Sequence, residues 1–363
     1  MTHVVVAGWM LTETPCGASR RTLEILRAAA KRLEANERIT LLFSAGTRPP
    51  DLPSAIRCLP VAIPRGPALQ RALAERSVLP KLLHDLSASV YQQDHLPLVS
   101  GLRCETVLTI HDLRDVSEHR RYPSWLARYV LRRAAARAGW IVVPSLFTYG
   151  GLQTLLGTSA TKVTVVPNGV ALEPFAKQTI AEDPCFLHVG RLEKRKNLLM
   201  LISAYAQLVE DSKDPSALPP LVLVGEDGGE RRALAERAAF LEVTGKVQMP
   251  GEVDDRKLMG LYRAARCVLV PSLYEGFGLP ALEALAAGKL ALVSDRGALP
   301  EVVADAGIVL AADDARAWAT AMGNLEKLQS DPFLTANRQR RVRELSWDRA
   351  AESMLELWHE LGE

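Results

Sequence analysis

Glu275 and Glu283 stand eight residues apart, separated by Gly-Phe-Gly-Leu-Pro-Ala-Leu. A carboxylate beside an open turn can accept hydrogen bonds from the vicinal hydroxyls of a ribose or hexose. Gly276 and Gly278 carry no side chain, so a ligand can approach the backbone there. Pro280 suits the first turn of a helix, which would carry Glu283 on that same turn, and unpaired N–H groups at a helix start suit an anion. A second set of polar residues follows another apolar run, in Val189-Gly190-Arg191-Leu192-Glu193-Lys194-Arg195-Lys196-Asn197. Arg191 offers a planar fork to phosphate oxygens and Lys196 a mobile point charge, while Lys194 and Arg195 read as solvated. Carboxylates for hydroxyls, with cations and amides for a diphosphate, describe a pocket for a nucleotide sugar.

Positioning such groups requires loops at one edge of a sheet. Short apolar runs alternate with longer amphipathic stretches along the chain, the pattern of parallel α/β sheets. In the first half, Val4–Ala7, Ile39–Phe43, Val90–Gln92, Thr106–Ile110 and Trp140–Val143 read as strands, with helices over Arg21–Ala35 and Trp125–Ala138. In the second half the strands are Cys185–Val189, Leu221–Val224, Val247–Met249, Cys267–Val270 and Leu290–Val293. Between the halves lies the turn Pro167-Asn168-Gly169-Val170 and the polar stretch Glu173–Pro184, which places a linker near residues 168–184. A final amphipathic helix follows Trp347. No G-x-G-x-x-G follows the first strand and no P-loop occurs, so dinucleotide and P-loop chemistry lose their support.

The stretch from Glu275 to Glu283 resembles the E-x7-E signature of retaining glycosyltransferases of family 4, and Gly190–Asn197 resembles that family's G-R-x4-K-N. Thr109-Ile110-His111-Asp112-Leu113 is similar to the H-D-L motif of its mannosyltransferase branch. Val143–Thr148, Val166–Val170 and the Leu299-Pro300-Glu301-Val302 loop extend the likeness, which runs from about residue 106 onward. After the first strand the family often carries two glycines, of which this chain keeps Gly17, with Arg20 three residues on. The resemblance implies a GT-B fold: two Rossmann-like doubly wound α/β domains facing each other across a cleft. Residues 1–170 would form the acceptor-side domain, joined by the C-terminal helix 348–363, and residues 171–347 the donor-side domain.

By the same resemblance Arg191 and Lys196 hold the donor diphosphate and Glu275 and His111 meet the transferred sugar. Glu283 holds the ribose, and Gly276, Phe277, Gly278, Leu279 and Gly17 line the donor site. The roles of Arg20 and Asp112 stay open. The implied activity is retaining hexosyl transfer to a glycan, glycolipid or small-molecule acceptor, with GDP-mannose favoured as donor and a UDP- or dTDP-sugar as the alternative. A non-catalytic nucleotide-sugar-binding partner is the rival, which the intact set of charged residues opposes. No metal or other cofactor is expected, since cations and amides already neutralise the leaving group.

Composition narrows the remaining classes. The 363 residues suffice for two cores, and a formal net charge of +2 gives no reason to expect nucleic acid as partner. Cys16, Cys58, Cys104, Cys185 and Cys267 are scattered without metal-ligand spacing, which fits a reducing compartment. The N-terminus reads as a strand rather than a signal peptide, and no run is long enough to span a membrane. A cytoplasmic protein is expected. Residues 114–137 carry seven arginines against Asp115 and Glu118, a segment suited to peripheral contact with the inner membrane face and a lipid-linked acceptor.

Overall fold

The computed structural model describes residues 2–9, 11, 17–114, 124–157, 162–172 and 182–363. Cys16, the Glu173–Ala181 part of the linker and the 115–123 part of the Arg-rich segment lie outside them. The chain divides into two compact units: Met1–Asn168 with Trp347–Glu363, and Gly169–Ser346.

Unit 1 contains β1 (Thr2–Ala7), β2 (Glu37–Ser44), β3 (Ile56–Val61), β4 (Val90–Gln93), β5 (Glu105–Thr109), β6 (Trp140–Val143) and β7 (Val163–Val165). They form one sheet in the order β3-β2-β1-β4-β5-β6-β7, parallel throughout. Unit 2 contains β8 (Cys185–Val189), β9 (Leu221–Val224), β10 (Val247–Gly251), β11 (Ala265–Val270), β12 (Ala291–Ser294) and β13 (Ile308–Leu310). Their order is β10-β9-β8-β11-β12-β13, again parallel. The central strands are almost wholly buried because helices cover both faces, which is why they read as unbroken apolar runs. In unit 2, Tyr262, Phe277 and Leu282 fill one side of the sheet, and Leu201, Tyr205 and Trp318 fill the other.

This topology dictates where ligands can bind. In each unit the chain winds outward to one edge and then restarts beside the first strand, leaving a switch point at β1/β4 in unit 1 and at β8/β11 in unit 2. Loops leaving the carboxyl ends of such a strand pair diverge and open a crevice between them. The two loops at the unit 2 switch point are Gly190–Asn197 and Pro271–Gly278, the two segments rich in chemistry-bearing residues.

Two recurrent motifs prove to be structural. Ser145 follows β6 and caps the helix Leu146–Leu156, its hydroxyl accepting from the Thr148 N–H at 3.1 Å. Asn168 is buried and accepts from the Arg21 guanidinium at 2.5 Å. The last helix, Trp347–Gly362, belongs to unit 1. It buries Trp347, Ala351, Met354 and Trp358, and the Trp358 indole donates to Gln92 on β4 at 2.8 Å. Where the chain re-enters unit 1, the Val170 N–H donates to the Leu345 carbonyl at 3.1 Å.

Trp358→Ala should therefore destabilise unit 1, not only fray the C-terminus. The expected loss is about 3–5 kcal/mol, the range for a large aromatic removed from a core. Urea denaturation of the full chain checks it, with the unit 1 transition moving to lower urea.

Candidate active site

β8 ends at Val189, and Gly190 follows with φ +151°, a conformation that favours glycine. A Cβ on Gly190 would lie 3.3 Å from the Lys196 ammonium and 3.4 Å from Nε2 of His188, so the bare backbone here leaves room around both. The chain then makes one tight turn over Lys194–Lys196, closed by Asn197 in the left-handed region at φ 57°. The Asn197 amide donates to the Ala312 carbonyl at 2.7 Å, which fixes the turn against the loop after β13. The turn drives Lys196 inward: its side chain is 7% exposed, not a mobile point charge.

β11 ends at Val270, and its loop locks onto the first through main chain and side chain together. The Leu273 N–H donates to the Arg195 carbonyl at 2.7 Å. Lys196 Nζ donates to Glu275 Oε1 at 2.5 Å, and the Ser272 hydroxyl donates to the same oxygen at 2.8 Å. The other oxygen, Oε2, lies 3.1 Å from Arg195 Nη1. Arg195 also donates to the Tyr274 carbonyl at 3.0 Å and pairs through Nε with Glu193 at 2.6 Å. The expectation that Arg195 is solvated is thus wrong, because the turn that buries Lys196 folds its neighbour under the Glu275 loop. Lys194 is exposed, as expected. Gly297 (φ +64°) completes the crevice wall, since a Cβ there would come within 2.6 Å of the Glu275 nitrogen.

Charge and burial set the protonation of this group. Burial alone would raise the Glu275 carboxyl, but the Lys196 and Arg195 cations and the bonds from Lys196 and Ser272 overcome it and hold it at about 2. Burial lowers Lys196, with Glu275 opposing the shift. His188 is wholly buried on β8, and burial with the neighbouring Lys196 charge pushes it down to about 4. Its Nδ1 lies 2.8 Å from the Leu269 carbonyl, so in the neutral ring that nitrogen donates and Nε2 carries the lone pair.

The other residues singled out from the sequence occupy different settings. Gly278, in the left-handed region at φ 105°, precedes the helix Leu279–Ala286, and Pro280 lies in its first turn. Phe277 is buried in the core and anchors the turn, Leu279 packs half-buried beside it, and Gly276 is buried. Glu283 sits in the second turn of that helix rather than the first, since the helix begins at Leu279. Its side chain is buried, and Oε2 accepts from the Tyr262 hydroxyl at 2.6 Å. Arg191 points outward and pairs at 3.1 Å with Glu226, both side chains about half exposed. An exposed pair of this kind holds a side chain only weakly.

In unit 1, Gly17 is exposed as the first residue of the helix Gly17–Ala29. His111 follows β5. Burial lowers its pKa, partly offset by Asp94 and Asp112 and reinforced by Arg21, and its Nε2 is buried without a hydrogen-bond partner. Asp112 accepts from the Arg114 N–H at 3.0 Å and from Arg114 Nε at 2.7 Å, so it braces its own loop. Near His111, the sequence alone gave no sign of Arg21, which is 1% exposed, or of Asp94, which accepts from Thr22 at 2.5 Å. Likewise unforeseen in unit 2 were His188, Ser272, Arg195 and Tyr262. Only Arg195 carried a visible signal, its place beside Lys196. Among the described residues no three His, Cys, Asp or Glu side chains converge as metal ligands would.

This geometry places a buried lysine–glutamate pair at the switch point of a doubly wound domain, and comparison with known proteins gives the class. Residues 172–344 match the family model for glycosyl transferases group 1, and residues 15–174 match that for glycosyltransferase family 4. The chain belongs to this glycosyltransferase family and is an enzyme of that class with the GT-B fold. It is 30% identical over 283 residues to O-antigen chain mannosyltransferase B of Escherichia coli, covering 73% of each chain. To the glycogen synthase of Mycobacterium tuberculosis it is 29% identical over 266 residues, 69% of this chain and 62% of that one. Among solved structures, sucrose-phosphate synthase from Thermosynechococcus elongatus superposes with a TM-score of 0.78 at 20% identity, covering 99% of both chains.

His188 gives this site an acid sensitivity. In the unfolded chain a histidine titrates near 6.5, against about 4 in the folded protein. Stability from keeping it neutral is therefore complete above 6.5 and lost as pH falls through 4. His188→Phe should flatten the dependence of unfolding free energy on pH by about one proton near pH 5. Chemical denaturation across that pH range reads the slope.

Proposed function

We propose that the protein transfers a mannosyl residue from GDP-mannose to a glycan or lipid-linked acceptor, with retention of configuration and without a metal ion. The observation that carries this reading is the buried Lys196–Glu275 pair at the end of β8 and β11, within the G-R-x4-K-N and E-x7-E segments. Lys196, with Arg191 swung from Glu226, stabilises the diphosphate as its bond to the sugar breaks, and the turn at Gly276–Leu279 adds backbone dipoles. Glu283 takes the ribose hydroxyls. Glu275 orients the transferred sugar. A carboxylate bound by two cations is a weak nucleophile, which favours attack from the leaving-group side over a covalent intermediate. Mannose as the sugar is supported by the His111-Asp112-Leu113 segment and by the similarity to an O-antigen mannosyltransferase. The similarity to a glycogen synthase keeps a UDP- or dTDP-sugar as the alternative.

We further propose that unit 1 touches an anionic lipid surface through the helix Ser124–Ala135. Trp125 and Tyr129, one turn apart, are 69% and 57% exposed, and Arg128 and Arg133 are exposed beside them. Amphipathic rings with arginines suit the headgroup region. No helix among the described residues is long and apolar enough to cross a membrane.

If Lys196 stabilises the leaving group, Lys196→Ala should lower kcat about a hundredfold. Glu283→Ala should instead raise the donor KM and weaken the free nucleoside diphosphate. Thermal shifts against GDP, UDP and dTDP identify the base, because a ligand of the native state raises its stability. Wild-type turnover in Lys196→Ala would reduce that residue to a structural charge. For the lipid contact, co-flotation with vesicles containing phosphatidylglycerol should fall in Trp125→Ser/Tyr129→Ser. Equal flotation with neutral vesicles, or no loss in the variant, removes the contact.

A further inference from the structure

The Lys196–Glu275 pair has a second implication, resting on the donor reading above. Lys196 is the buried cation that a diphosphate would need, yet its ammonium is already bonded at 2.5 Å to a carboxylate. Glu275 in turn is held from three sides: Lys196 and Ser272 on Oε1, Arg195 on Oε2. Arg195 does not depend on Lys196 for its own position, since Glu193, the Tyr274 carbonyl and its main-chain bond to Leu273 fix it.

We infer that Glu275 is an internal competitor of the donor diphosphate, and that binding proceeds by partner exchange: the diphosphate takes Lys196, and the position Lys196 vacates on Glu275 Oε1 becomes the acceptor for a hydroxyl of the transferred sugar. Arg195 is the positioning residue that keeps Glu275 ionised and in place during the exchange. Gly190 puts no side chain against the lysine's terminal atoms, where a Cβ would crowd them at 3.3 Å. When Lys196 leaves, Arg195 on Oε2 and the Ser272 hydroxyl on Oε1 still hold the carboxylate. Diphosphate and sugar are thereby read in sequence by one shared contact. A free diphosphate without sugar leaves the position vacated by Lys196 on Glu275 Oε1 unfilled and binds at a penalty.

The inference makes a prediction opposite in sign to that for an ordinary binding residue. Glu275→Gln should bind GDP more tightly than the wild type, by on the order of tenfold, since a neighbouring negative charge is gone and Lys196 is released. The same variant should lose transfer. Calorimetry with GDP, or with UDP where the wild type prefers it, reads the affinity, and thermal unfolding verifies the fold. Glu275→Ala must move the affinity in the same direction, which covers the case of a poorly folded Gln variant. In a Lys196→Met background the gain should shrink to near nothing. Unchanged or weaker GDP binding in both Glu275 variants overturns the inference, as does a full gain without Lys196. If the wild type binds no nucleoside diphosphate at all, the donor reading fails first and the exchange falls with it.

Discussion

The contact on which the active-site half of the molecule depends is the ion pair between Lys196 and Glu275. It joins two loops that leave adjacent parallel strands in diverging directions, at the switch point of the unit 2 sheet. Neither residue could be buried alone, because an uncompensated charge in the interior is costly. Each loop therefore needs the other to fold: Arg195 and Leu273 bond main chain to main chain, and Glu193, Ser272 and Arg195 complete the set. A broken buried pair is far more damaging than one never made, so these loops form as a unit or not at all.

Around that pair the fold acts as a frame. The β8 and β11 strands are buried on both faces, so packing fixes the strand ends within narrow limits and transfers that rigidity to the loops. Gly297 lets two backbones approach where a side chain would collide, and Gly190 leaves space beside the Lys196 and His188 side chains. Unit 1 uses a different device at its own switch point. There a buried arginine, Arg21, spans from the first helix to Asn168, and burial lowers its pKa to about 10 despite the attraction of Asp94. Both units thus bury cations near the strand ends, in unit 2 with carboxylates in direct contact and in unit 1 with an amide.

Much of this was legible in the residues. Central strands such as Trp140–Val143, Cys185–Val189 and Leu221–Val224 were evident because burial on both faces demands unbroken apolar runs. The edge strands Ile56–Val61, Val163–Val165 and Ile308–Leu310 were not, because two of them are only three residues long and the third interrupts its apolar run with Arg57 and Pro60. Lys196, Glu275 and Glu283 stood out through motif and spacing. The partners that hold them did not: Arg195, Ser272 and Tyr262 are ordinary residues in sequence, and their roles arise only when separate loops and helices meet. Glu283 was placed one turn early for a related reason. A glycine turn does not disclose where the helix after it begins, and the left-handed Gly278 delays that start to Leu279.

The helix Trp347–Gly362 gives the chain an unusual order of assembly. It is sequentially last, yet it supplies part of the wall of the unit that is made first. During synthesis, unit 1 emerges from the ribosome lacking Trp358 and its neighbours, with the β4 end and the Gln92 amide uncovered, while all of unit 2 is still to be translated. Unit 2, Gly169–Ser346, is wholly translated before that helix and can close beforehand. The unit translated second is thus free to mature first, and the nascent first half must be shielded from aggregation until the final helix docks.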